Sequence, residues 1–349
     1  MTTTAITDRL YELDLLRFFA ALSVMFFHYT FRGVTANHLS NVPYPEISAI
    51  SKYGYLGVDL FFMISGFVII MTVMNKSWQH FLVSRIVRLY PAFWVACSLT
   101  FILRIILGNQ NNAPTLFQYL ANMTMLNPLF GVEAIDGVYW TLLVEMRFYF
   151  WIFLIVLMGQ ILKLKPFLAA WLCIAVIFNI VHVRMFNIIF ITPYAPLFIA
   201  GTTFYLVYKE GMSLFKGLLL AVSYIEVIIQ SRVTLAEMRD QFSTGFSDIA
   251  ATFILTFFFI IFFLVATRRT LAISSSKYLA LGALTYPLYL IHQRIGYLIL
   301  NSLYQYINKY VLLFSTVAIM LVGAYLINKK IEQPFSPYLK IKVKTMLRV

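Results

Sequence analysis

The chain has 349 residues, 61% of them hydrophobic and only 12% charged, whereas soluble domains run nearer a quarter charged. A formal net charge of +13 would suggest a nucleic-acid binder if the chain were soluble, but the basic residues lie in short stretches between apolar runs of membrane-spanning length. Composition therefore excludes a soluble nucleic-acid protein and a β-barrel of short alternating strands, and it predicts an all-α polytopic membrane protein.

In chain order, the apolar runs predict ten spans: 14–32, 54–74, 90–108, 139–159, 167–184, 188–207, 213–230, 248–267, 282–303 and 310–328. With the N-terminus in the cytoplasm, the inner loops hold Lys76, Arg85, Arg88, Lys163, Lys165, Lys209, Lys216, Arg268, Arg269 and Lys277, and the tail adds Lys329 to Arg348. The outer loops hold only Arg32, Lys52, Arg184, Arg232, Arg239 and Lys309, so the charges predict cytoplasmic termini. Residues 114–138 must then not span. They are interrupted by Asn122, Asn127, Pro128 and Gly131 and read as a re-entrant or interfacial segment. No cleavable signal is expected after a start carrying Asp8, Arg9 and Glu12. Residues 1–335 read as a single transmembrane domain and 336–349 as a short basic cytoplasmic tail, with no appended soluble domain.

The first span, DLLRFFAALSVMFFHYTF, contains Arg17 and His28, eleven residues apart. On a helix that spacing returns to within about 20° of one face and covers about 16–17 Å of depth. Ionisable groups inside a span are costly, so both are candidates for function; snorkelling of Arg17 and plain packing of His28 are the alternatives. The second span, GYLGVDLFFMISGFVI, carries a single charge, Asp59, while Gly57, Ser65 and Gly66 suit close helix approach. Next comes SRIVRLYPAFW, with Pro91 opening the third span. Its Arg85 and Arg88 share a helix face and suit either topology anchoring or a phosphate clamp.

The fourth span opens DGVYWTLLVEMRFYF. Glu145 lies well inside it, fit to orient an imidazole or to hold an arginine, and Trp140 suits the outer interface. The ninth, LTYPLYLIHQRIGY, places Tyr289 and His292 three apart, with Tyr286 one turn earlier and Arg294 mid-span. His182, Glu226 and His38 read as interfacial or solvated, and His80 as a cytoplasmic loop residue that could join a donor pocket. Cys97 and Cys173 sit in apolar segments and suggest neither a disulfide framework nor a metal site. Metal-ligand spacing, a GxSxG elbow, a phosphate-binding glycine loop and a dinucleotide fingerprint are all missing, which leaves His28 as the catalytic candidate.

Five of these stretches, in this order, resemble the integral-membrane acyltransferase family 3, which decorates bacterial surface carbohydrates and some small molecules: ELDLLRFFAALSVMFFH, GYLGVDLFFMISGFVI, SRIVRLYP, DGVYWTLLVEMRFY and LTYPLYLIHQ. The resemblance covers nearly the whole chain and is to the stand-alone type, similar to exopolysaccharide, O-antigen and capsule O-acetyltransferases. It implies a donor acyl-CoA, most simply acetyl-CoA with succinyl as the other option, and no tightly bound cofactor. Arg17, Arg85 and Arg88 would hold that donor. His28 would be general base or transient acyl carrier, helped by Asp59 or Glu145, with Tyr289, His292 and Trp140 toward the acceptor. The implied partners are a surface glycan or lipid-linked saccharide and membrane lipids, without nucleic acid; self-association and glycan-assembly partners stay open. The implied location is the bacterial inner membrane. A lipid-linked-glycan flippase is the rival reading, although it would ordinarily show paired halves that this chain lacks.

Overall fold

The computed structural model describes residues 9–36, 39–74, 76–108, 113–159 and 161–347. Asp8, His38 and Arg348, discussed above, lie outside them. The chain is 83% helical, without strands among the described residues. Ten long helices match the ten predicted spans: α1 (Tyr11–Phe27), α2 (Gly57–Val73), α3 (Trp78–Leu107), α4 (Trp140–Leu157), α5 (Leu164–Val181), α6 (Ala195–Glu210), α7 (Leu214–Phe242), α8 (Asp248–Ala266), α9 (Tyr278–Leu303) and α10 (Lys309–Ile327). A further helix, α11 (Gln333–Met346), follows α10 after a π-helical turn.

Among the described residues, nine helical segments are long and apolar enough to cross a membrane. α9 is not one of them. It has the length, but Thr285, His292, Gln293 and Arg294 lower its hydropathy. Those polar side chains are tolerated because α9 is wrapped by α1, α3 and α10 and does not face lipid along its length. By contrast, α8 exposes Phe253, Phe257 and Ile260, as a lipid-facing helix should.

Three predicted boundaries are corrected. The third span does not begin at Pro91: α3 starts at Trp78, where Ser77 Oγ caps the helix by accepting from His80 N at 3.3 Å. Proline inside a helix frees the carbonyl four residues earlier. For Pro91 that is Val87, and its oxygen accepts from Ser336 Oγ of α11 at 3.4 Å. Pro287 in α9 is handled alike, with Asn328 Nδ2 donating to Ala283 O at 3.4 Å. The residues read as a basic tail are therefore helical through Met346 and pack on α3. The segment 231–247, read as an outer loop, is helix through Phe242, since an uninterrupted helix-compatible stretch simply extends α7.

Residues 114–138 do not span. They form a short helix, Leu116–Met123, and irregular turns whose backbone is satisfied by side-chain amides. Asn122 donates to Gln118 O and Glu133 O and accepts from Ile135 N, while Asn127 donates to Val132 O at 2.8 Å. Irregular backbone held this way needs no water. Asp136, fully buried, accepts from Val138 N and from Arg294 N of α9, which pins the start of α4 beside α9.

The small residues of α2 allow the closest helix contact. A Cβ at Gly66 would strike the backbone oxygen of Phe198 in α6, and one at Gly201 of α6 would strike that of Met63 in α2. Dense van der Waals contact of this kind drives helix association where lipid removes the hydrophobic gain. Gly66→Ala should destabilise the detergent-solubilised protein by about 1–3 kcal/mol, measured by thermal unfolding. Gly217→Ala in α7, where a Cβ meets open space, should be neutral or stabilising by about 0.5–1 kcal/mol.

Candidate active site

α1 runs without interruption to Phe27, and His28 begins a π-helical turn, His28–Arg32. The helical register between Arg17 and His28 is thus kept, as their spacing required. The π turn then re-aims the residues that follow, and such turns concentrate at functional sites. Tyr29 OH donates to His292 O at 2.6 Å, and Arg32 is brought beside His28 on the wall of a cavity. Arg32 had been read as a loop charge.

This cavity has a volume of about 140 Å³. His28, Asp59, Trp140 and Tyr289 line it, together with Arg32 and Gln293. It lies where α1 ends and where α2, α4 and α6 begin, so four of the predicted site residues are brought together at one end of the bundle. His28 is only 5% exposed. Its Nδ1 lies 3.0 Å from the Gln293 carboxamide, and Tyr297 OH donates to its backbone oxygen at 3.1 Å. Its Nε2 has no hydrogen-bond partner among the described residues yet is not sealed off, which leaves that nitrogen for the cavity.

Asp59 lines the same cavity within electrostatic range of Tyr55 and Tyr194, and forms neither an ion pair nor a hydrogen bond to His28 among the described residues. Tyr289 OH shares a hydrogen bond of 2.9 Å with Thr141 Oγ1. His292 does not line the cavity. It sits behind His28, with ring centroids 5.2 Å apart, and its Nδ1 donates to Tyr289 O at 2.8 Å. That bond fixes its tautomer and leaves its buried Nε2 as an unpartnered acceptor.

Glu145 is elsewhere, which corrects the expectation that it orients the imidazole. One of its oxygens accepts from Ser65 Oγ and from Tyr149 OH, both at 2.5 Å. Its environment is the arginine cluster: Arg17 is within electrostatic range of Glu145, Tyr149 and Arg88, and pairs with Asp14 at 3.6 Å. Arg85 stacks over the rings of Phe81 and Tyr149, and Arg88 over Tyr286 while it pairs with Glu332 at 3.5 Å. Arg88, but not Arg85, lines a second cavity of about 380 Å³ with His80, Ser84, Gln333, Ser336 and Lys340. This one opens where α3 begins and the chain ends, at the opposite end of the bundle from His28.

Glu226, read as interfacial, is buried: two amides, Asn179 Nδ2 at 2.7 Å and Gln230 Nε2 at 3.1 Å, donate to it. His182 is exposed, as expected, at the end of α5. The residues missed by reading charges and histidines alone are Gln293, Tyr297 and Arg32. The first two are uncharged, and their cost inside a span is smaller; the available signal was polar residues one and five positions after His292 on the same helix.

The family described as "Acyltransferase domain" matches residues 10–329. Two curated proteins are similar over part of their length. Nodulation protein 10 of Rhizobium leguminosarum bv. viciae is 29% identical over 156 residues, 39% of this chain and 41% of that protein. ORF330 of Acidianus two-tailed virus, provisionally named an acetyltransferase, is 27% identical over 141 residues, 40% of this chain and 39% of that protein. The matches thus span about two fifths of these relatives. No solved structure matches the chain significantly. The family match runs over all ten long helices, from α1 through α10, and the chain belongs to the acyltransferase 3 family.

Proposed function

We propose that the protein is an O-acetyltransferase that carries an acetyl group from cytoplasmic acetyl-CoA to a hydroxyl of a cell-surface carbohydrate or its lipid-linked precursor. The observation that carries this reading is the His28 ring nitrogen left without a partner among the described residues, at a cavity at one end of the bundle. Acetyl is the group named for the viral relative, and the loop charges favour cytoplasmic termini.

In this reading the second cavity takes the phosphates of the donor. Arg88 and Lys340 supply the positive charge there, and Ser84 and Ser336 supply hydroxyl donors. Glu332 holds Arg88 in place until a phosphate competes for it. Arg85, stacked on Phe81 and Tyr149, adds positive potential without lining the pocket. The thin pantetheine arm then runs along α1, past Arg17, toward His28 about 16–17 Å deeper.

At the first cavity His28 Nε2 takes the proton of the acceptor hydroxyl as its oxygen attacks the thioester carbonyl. The C–S bond breaks, CoA leaves as a thiolate, and the imidazolium returns the proton to it. Arg32, which lines the cavity, would meet negative charge developing on the carbonyl oxygen. Asp59 offers a hydrogen-bond acceptor to the sugar, and Trp140 with Tyr289 offers ring surface. General-base assistance of this kind contributes roughly 10²–10⁴-fold.

His28→Ala should lower transfer of label from radiolabelled acetyl-CoA to the cell-surface polysaccharide fraction by about 10²-fold or more, at equal protein level. Retained transfer would remove His28 from the chemistry. Arg88→Ala should raise the KM for acetyl-CoA by about tenfold or more, as loss of a charge-assisted hydrogen bond implies, in protein that folds despite losing the Arg88–Glu332 pair. An unaltered KM would make Arg88 only a topology anchor.

A further inference from the structure

We infer that α7 supplies the acceptor-selecting wall of the His28 cavity: Thr234, Ser231 and Gln230 bind hydroxyls of a neutral sugar ring beside the hydroxyl that is acetylated, and Glu226 is the positioning residue that turns the Gln230 carboxamide oxygen toward that ring. The inference rests on the carbohydrate-acceptor reading given above.

The part of α7 beyond residue 230, where the sequence predicted a loop, carries much of this wall. Val227, Gln230, Ser231, Thr234 and Met238 line the cavity, at a spacing that sets them on one face of the helix. Apolar residues alone would close the cavity, yet most of this face is polar. Threonines in the helices of this bundle bond back to the carbonyl one turn earlier: Thr30 to Phe26 O, Thr203 to Ile199 O, Thr256 to Thr252 O and Thr316 to Leu312 O. Thr234 makes no such bond, nor any other among the described residues, so its hydroxyl is left for a ligand. Ser231 Oγ lies against Tyr55 OH, and neither has another partner among the described residues. The Tyr55 ring packs on Phe27, the neighbour of His28, with centroids 5.8 Å apart.

Gln230 is held from behind. Its Nε2 donates to Glu226 Oε1 at 3.1 Å, and Asn179 Nδ2 donates to the same oxygen at 2.7 Å. A carboxylate only accepts, so the Gln230 amide must present its NH₂ to Glu226. Its oxygen is then left for the cavity, where it meets no donor among the described residues. Glu226 is buried, does not line the cavity, and so acts through Gln230. The wall therefore offers hydroxyls that donate and accept, an amide oxygen that accepts, and the carboxylate of Asp59, which also accepts. A ring bearing several hydroxyls matches that set, whereas an apolar ligand would leave each of these groups unpaired. Arg32 and Asp59 carry opposite charges at the same cavity, so the lining holds no net charge to attract an ionised sugar.

The test separates acceptor from donor. Full-length protein in lipid nanodiscs is given radiolabelled acetyl-CoA and, as acceptor probe, the cell-surface polysaccharide fraction freed of its esters by mild base. Thr234→Val and Gln230→Met keep the volume and remove the polar atoms. Each, shown to be folded by thermal unfolding, should raise the KM for the polysaccharide about three- to tenfold, as loss of one hydrogen bond implies, and leave the KM for acetyl-CoA within about twofold. Thr234→Ser keeps the hydroxyl and should stay within about twofold of wild type, a rescue that a packing role would not give. Glu226→Gln should raise the polysaccharide KM as Gln230→Met does, because an amide at 226 no longer dictates which end of Gln230 faces the sugar. In the Gln230→Met background it should add nothing. An unchanged polysaccharide KM in Thr234→Val and Gln230→Met overturns the inference. So does an equal rise in the KM for acetyl-CoA, which would put the wall at the donor. An additive effect of Glu226→Gln overturns its positioning role. Wild-type protein that leaves the polysaccharide unlabelled overturns the acceptor reading itself, whereas an active variant without a KM shift overturns only the inference.

Discussion

The joint between the π turn of α1 and the middle of α9 holds the site together. Tyr297 of α9 donates to His28 O, Tyr29 of α1 donates back to His292 O, and the Gln293 amide meets His28 Nδ1. Each bond is between groups almost fully buried, so breaking one leaves a polar group without water, at a cost of about 1–3 kcal/mol. The π turn makes this possible: by widening the helix at His28 it turns Tyr29 onto α9 and Arg32 into the cavity. Close approach of the two helices requires Gly296, where a Cβ would run into the Tyr29 ring.

α9 can carry so many polar side chains because it does not meet lipid along its length. α1, α3 and α10 surround it, and the apolar faces of helices such as α8 take the bilayer. Prolines fit the same logic. Pro91 and Pro287 each free a carbonyl, and the C-terminal residues Ser336 and Asn328 satisfy both. The end of the chain therefore braces α3 and α9 and also lines the cavity that contains Arg88, which ties the donor end of the proposed path to the stability of the bundle.

The distribution of charge separates two chemistries by depth. Arg17, Arg85, Arg88, Asp14, Glu145 and Glu332 form one network in which arginines are stacked on rings or paired with acids. The cavity beside His28 is lined, among the described residues, by one acid, Asp59, one arginine, Arg32, and several amides and hydroxyls. The first arrangement suits a polyanionic donor. The second suits proton transfer and a developing oxyanion, where too many fixed charges would be costly to desolvate.

The helical membrane class, the positions of the long helices, the register of Arg17 with His28 and the non-spanning character of residues 114–138 were all legible in the chain itself. They follow from apolar run length, the helical period and the placement of Asn, Pro and Gly, which are local properties. Partnership was not legible. Glu145 and Asp59 are both lone acids in spans, and only packing shows that one belongs to the arginine cluster and the other to the His28 cavity. Gln293 and Tyr297 lie more than 260 positions from His28. Nothing local in the chain records that α9 lies against α1. That pairing depends on glycines meeting rings and hydroxyls meeting carbonyls across the bundle, and only the tertiary structure decides it.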